Sequence, residues 1–162
     1  MKRLLIPAVF FVLIFRLHAQ QIPDIELHCL NNDTIQLTDF HGKILLIEFW
    51  ASWNRQSREN HKQLVSLYNR YKYSGFQHSA TFDMISISID LNEKDWQSAI
   101  EQDALHWRNH CCDFKGWKTE AVIKFDVYLI PFYLLIDDEG KIVKRQAHLN
   151  EIERYLQEMT VK

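Results

Sequence analysis

Glycine and proline are scarce in this chain, four and three respectively among 162 residues. Disordered chains and linkers are commonly rich in both. Their scarcity, with 47% hydrophobic residues, argues against disorder and for one globular domain with a real core. Internal repeats and low-complexity segments are absent too, and each glycine stands in a turn-like context: Gly42 in FHGK, Gly75 in YSGF, Gly116 in FKGW and Gly140 in DDEGK. No run of basic residues interleaved with aromatics occurs, which removes nucleic acid from the expected partners. Nor does any apolar run reach the roughly 20 residues that a bilayer span needs. The longest, Leu4 to Phe15, is broken by Pro7, preceded by Lys2 and Arg3, and followed by Leu17-His18-Ala19, which resembles a signal-peptidase site. Residues 1–19 are therefore read as an export leader and residues 20–162 as the domain; an uncleaved leader is the one membrane attachment this reading leaves. Without Lys2, Arg3 and Arg16 the domain carries a net charge of about −5.

Cysteine is scarce as well. Cys29, Cys111 and Cys112 make an odd number in a chain bound for an oxidising compartment, so at least one stays free or pairs outside the chain.

What is present is a clear alternation of elements. Ile44 to Trp50 is apolar except for Glu48, as expected of a strand buried on both faces. Leu64, Leu67, Tyr68 and Tyr71 recur at helical spacing after it. Met84 to Ile89 reads as a second strand, Asn92 as the cap of a helix carrying Trp96 and Ile100, and His110 to Asp113 as part of a further strand. A short helix covers Glu120 to Phe125. Phe132 to Ile136 and Ile142 to Arg145 form a hairpin across DDEGK. Asn150, with Glu153 three residues on, gives an N-cap signal for a last helix whose buried stripe is Ile152, Tyr155, Leu156 and Met159. Strands alternating with helices and ending in a hairpin and a helix predict an α/β three-layer sandwich: a central mixed β-sheet flanked by helices.

The element order, the FWASW junction at Phe49 to Trp53, the block YLIPFYLLIDDEGKIV and the leader together resemble the TlpA-like branch of the thioredoxin superfamily, exported thiol-disulfide oxidoreductases. The resemblance covers roughly residues 21 to 160. It implies a thioredoxin-like fold with an N-terminal β-hairpin extension, and a periplasmic location. In that branch the junction reads W-C-x-x-C-R, because a thiolate at a helix N-terminus is stabilised by unpaired N–H groups and the helix dipole while a second cysteine one turn later resolves the mixed disulfide. Here Trp53 and Arg58 match, but Asn54, Arg55, Gln56 and Ser57 fill the motif, and Asn60 with Glu59 replaces a family acid. An amide and a plain hydroxyl cannot exchange with a disulfide, whereas Asn caps a helix and Ser tolerates its first turn. The junction keeps its structural residues without its nucleophile. Glu48 occupies the place of the family's buried, proton-shuttling acid; the plainer alternative is a carboxylate at a strand end, within reach of water or a cation. Ile130-Pro131 matches the family's cis-proline loop, which presents backbone to an extended peptide; the plainer alternative is a trans proline opening an edge strand.

Cys111 and Cys112 are neighbours on a strand and face opposite ways, so core packing is the expectation for both. Cys29 is expected as a packed residue or an intermolecular thiol. His110 and Cys112 share a face and, with His106, suggest only a weak soft-metal alternative, so neither metal nor cofactor is expected. The tryptophans are expected mostly in the core, with Trp53 bordering the groove. Two functions follow. One is a non-redox module binding a protein or extended peptide in a groove of Trp53, Asn54, Arg55, Ile130 and Pro131. The other is a divergent thiol-disulfide oxidoreductase using Cys29, Cys111 or Cys112. A copy without a retained task is a third, blander option.

Overall fold

The computed structural model describes residues 21–161, so the leader expected at residues 1–19 lies outside them. The first elements are a two-stranded antiparallel hairpin, β1 (Glu26–His28) and β2 (Thr34–Gln36), followed by the long strand β3 (Lys43–Trp50). Then come α1 (Arg55–Tyr71), β4 (Thr81–Ser88), α2 (Glu93–Gln102), β5 (Asn109–Cys111) and α3 (Glu120–Lys124). The chain closes with β6 (Phe132–Ile136), β7 (Ile142–Arg145) and α4 (Leu149–Met159).

The five main strands lie in the order β5-β4-β3-β6-β7. β3, β4 and β5 run parallel, while β6 pairs antiparallel with both β3 and β7. β3 is buried from Ile44 to Trp50, the property of a strand covered on both faces. One face carries Leu46 and Trp50 under α1, α2 and α4, through Leu64, Trp96 and Ile152. The other carries Leu45, Ile47 and Phe49 under α3 and the hairpin, through Phe125, Leu27 and Leu37. Each large apolar side chain so enclosed contributes about 1.5–3 kcal/mol. This is the expected thioredoxin-like sandwich with its hairpin extension. Among the described residues no helix is long and apolar enough to cross a membrane.

Several local expectations need correction. β4 starts at Thr81, three residues before Met84, because Thr81, Phe82 and Asp83 pair with the start of β3 and Asp83 accepts a 2.8 Å hydrogen bond from Lys43. The cap of α4 is His148, not Asn150, which lies inside the first turn with its side-chain oxygen taken by Gln63. Trp50, Trp96 and Trp107 are core residues, but Trp117 joins Trp53 at the surface. The largest correction concerns sulfur. Cys29 and Cys111 are neither merely packed nor left for another chain: they form a disulfide across an antiparallel bridge, leaving Cys112 as the free thiol. Their sequence separation of 82 residues is why no local pattern announced the bond.

Candidate functional site

The junction after β3 is a tight turn held from below. Asp90, almost fully buried, accepts hydrogen bonds from the Ser52 amide and hydroxyl at 2.9 and 2.6 Å and from the Ser88 hydroxyl at 2.6 Å. The turn delivers Asn54 to the N-cap of α1, where its side-chain oxygen accepts from the Ser57 amide at 2.8 Å. Its Nδ2 donates to the Ile130 carbonyl at 3.4 Å, which brings the junction against the Pro131 loop. The Ile130-Pro131 peptide bond is cis. Trp53, the residue before Asn54, is 60% exposed and borders an opening toward α2 with Asp95 and Gln102. Arg55 points outward and pairs with Glu59 at 2.7 Å. Of the groove residues expected from sequence, Asn54 meets Ile130 at the end of the sheet where β3 finishes and β6 begins, whereas Arg55 faces solvent.

Beneath the junction lies a polar chain of which sequence reasoning found only the first link. Glu48 is fully buried, with no reach to water; one oxygen accepts from the Ser86 hydroxyl at 2.9 Å, which in turn accepts from the Trp107 indole at 3.0 Å. The other oxygen lies 3.4 Å from Nε2 of His61, whose Nδ1 is 2.5 Å from Asp103. Asp103 is clamped by the two-pronged guanidinium of Arg58, which also donates to the Ser52 carbonyl at 3.2 Å. Burial by itself would lower the His61 pKa, but Glu48 and Asp103 outweigh it and hold it above 6.5. Burial would likewise raise Asp103, and Arg58 with His61 outweigh it and hold it below 3.8. A signal for His61 existed: it is four residues after Ser57 and three before Leu64, on the buried stripe of α1. Ser57 itself is fully buried, and its hydroxyl has no hydrogen-bond partner.

The sulfur atoms are elsewhere. Cys111 belongs to the core under α3 and Cys112 to the core under α2, so the two neighbours do face opposite ways. Burial pushes the Cys112 thiol up to about 11, far from a reactive thiolate at neutral pH. Cys29 is half-buried at a cavity of about 270 Å³ bordered also by Asp33, Glu93 and Gln97. His110 is buried against the Trp107 ring, and burial lowers its pKa to about 4. Among the described residues no group of three or more His, Cys, Asp or Glu side chains is placed to hold a metal ion.

An open cap beside a proline loop, on a mixed sheet covered by helices, defines a thioredoxin-type architecture. Residues 42–142 match the thioredoxin-like family, and the chain belongs to it. It is similar to the thiol-disulfide oxidoreductase ResA of a Bacillus cereus strain, 25% identical, with 87% of this chain and 78% of that protein aligned. A solved thiol-disulfide oxidoreductase from Bacteroides fragilis NCTC 9343 superimposes with a TM-score of 0.75 at 28% identity, covering 86% of this chain and 98% of that one. The thioredoxin domain of a thiol-disulfide oxidoreductase from Bacteroides vulgatus gives 0.73 at 27% identity, covering 85% and 96%.

Proposed function

We infer that this chain is an exported, divergent thiol-disulfide oxidoreductase whose redox couple is Cys29–Cys111 instead of a dithiol at the α1 junction. The observation that carries this reading is the disulfide itself, in a chain similar over most of its length to proteins named for disulfide exchange. Asn54 and Ser57, at the positions where the family's motif carries cysteines, supply no sulfur. Cys112 is excluded as nucleophile by its raised pKa and its opposite face.

Accessibility sets the order of events. A substrate thiolate reaches Cys29, because Cys111 is fully buried. Attack on the Cys29 sulfur breaks the bond to Cys111, which leaves as a thiolate and takes up a proton, and a mixed disulfide forms on Cys29. The substrate's second thiol then displaces Cys29. Two electrons and two protons pass from the substrate dithiol to the protein, and the substrate leaves oxidised. The test is exchange on purified protein: Cys29–Cys111 should cycle against a dithiol peptide, with oxidation lost in Cys29→Ser and kept in Cys112→Ala. A wild-type crosslink that resists every dithiol offered would sink this reading and leave a structural staple.

A second reading is favoured by a different observation. Asn54 caps α1 and reaches the Ile130 carbonyl without any sulfur, which supports a groove built on Trp53, Asn54, Arg55, Ile130 and Pro131. On this reading the groove holds an extended peptide or partner protein and does no chemistry. Capture of a partner that is lost in Trp53→Ala, together with the absence of disulfide turnover, would favour it.

A further inference from the structure

The two residues of the Cys29–Cys111 disulfide border different spaces. Cys29 lines the cavity of about 270 Å³ between the hairpin turn and α2, whereas Cys111 lines a separate one of about 70 Å³. A thiolate attacks a disulfide along the line of the S–S bond, from behind the sulfur it captures, so the larger cavity is where a thiolate bound for Cys29 has to sit. Two carboxylates stand around that space, Asp33 and Glu93, and no lysine or arginine lines it. The turn folds Asp33 back toward the sulfur, because the Cys29 amide donates to the Asp33 carbonyl at 2.8 Å. Glu93 opens α2 and accepts from the Gln97 amide at 3.1 Å, a neutral partner. Asp33 is paired with Arg108 at 3.0 Å, but that guanidinium is 83% exposed, so the pair is weak and its place is open to another cation. His28, the one imidazole on the lining, lies 3.9 Å from Glu26, a third carboxylate on the hairpin.

The same cavity holds an unanswered donor. Trp96 lines it, 2% exposed, and its indole N–H has no hydrogen-bond partner. The ring is held edge-on against Phe114, 5.6 Å between centroids, and Phe114 with Leu30 supplies the apolar part of the lining. A buried donor left unpaired is unfavourable, and a carbonyl entering beside it relieves that cost.

We propose that this cavity selects the substrate of disulfide exchange, and that the class it selects is a peptide dithiol carrying lysine or arginine beside its attacking cysteine. The inference rests on the Cys29–Cys111 couple described above and adds a substrate to it. A thiolate that is bare or flanked by acids brings like charge against Asp33 and Glu93, and the repulsion slows its approach. A neighbouring cation offsets that repulsion, takes the place of Arg108 at Asp33, and favours the thiolate form of the cysteine it accompanies. The Trp96 N–H supplies a donor for a main-chain carbonyl of the same segment, which a small thiol lacks. The electrons follow the path already given. The substrate thiolate bonds to the Cys29 sulfur, Cys111 leaves and takes up a proton, and the second substrate cysteine closes the peptide's own disulfide as Cys29 departs as a thiol.

The test is oxidation of three peptides by the oxidised protein at about pH 8, each with the same Cys-x-x-Cys core and flanked by lysine, serine or aspartate. Acid-quenched samples read by mass spectrometry give the rates. Each rate is divided by that peptide's rate with hydroxyethyl disulfide, which removes its intrinsic thiol reactivity. The normalised rates should fall in the order lysine, serine, aspartate, span at least about tenfold, and converge in about 1 M salt, where the Debye length shrinks to about 3 Å. Asp33→Asn combined with Glu93→Gln should bring the lysine-to-aspartate ratio to within about twofold of one. Should that variant fail to fold, the salt dependence of the wild type still decides the matter. Equal normalised rates at low salt, an unchanged ratio in the folded double variant, or reduction by dithiothreitol but by no peptide would overturn this inference and leave the redox couple standing. A crosslink that resists dithiothreitol as well would overturn both.

Discussion

Phe49 and Cys111 lie level with each other across the sheet, each paired with Ile87 of the strand between them, about 10 Å apart. Past Phe49 the chain turns into a helix whose cap is an amide. At Cys111 it meets the hairpin through a disulfide. The same end of one sheet therefore carries two regions in opposite chemical states: a junction with the geometry for thiol chemistry and no thiol, and an edge with sulfur but no helix N-terminus to activate it. Position on the fold and possession of the reactive atom are separable, and only the second decides whether electrons move.

Exchanging the two states is the strongest way to break this comparison. Asn54→Cys with Ser57→Cys should turn a junction without turnover into one that reduces insulin, since the helix N-terminus, the turn and the buried carboxylate are in place. Insulin turbidity measures it, and continued silence would mean that the junction's shape is also lost. Next comes Cys29→Ser, which releases a loop closed across 82 residues and should lower stability by about 4 kcal/mol in denaturant titration. A loss well under that would show the hairpin docked by packing alone.

The third probe separates the junction's support from its cap. His61→Ala leaves Glu48 buried without its imidazole and should cost about 3 kcal/mol. The wild type should also show a characteristic pH profile. His61 is held above its ordinary value, so its stabilisation is complete below about pH 6.5 and is lost as pH rises through the folded value. Asp103 is held low, so its share is present above about pH 4 and is lost as pH falls further. Unfolding followed from pH 4 to 9 should therefore decline on the alkaline side, and His61→Gln should flatten that decline. The smallest effect is expected from Asn54→Ala, which removes one cap hydrogen bond for about 1 kcal/mol, measured as a small drop in Tm.

Local pattern made much of this fold legible. β3 declared itself by an apolar run broken only at Glu48, the β6–β7 hairpin by DDEGK, and the junction by FWASW with an asparagine suited to capping. Where a local signal met a distant partner, the sequence misled: Asn150 is a good cap by type, but Gln63 on another helix claims its oxygen. The unread parts are those assembled across distance. Asp103 reaches His61 from 42 residues away and Cys29 meets Cys111 from 82, and neither distance leaves a periodicity to follow. Glu48 was found, but its environment was not, because a strand pattern says that a residue is enclosed without saying by what.

The adjacency of Cys111 and Cys112 has one more consequence. Sliding β5 by a single residue would present Cys112 to Cys29 and turn every side chain of that strand toward the wrong layer. Which sulfur Cys29 captures is thus a covalent record of the strand's alignment, and a peptide map of the oxidised protein would read that record directly.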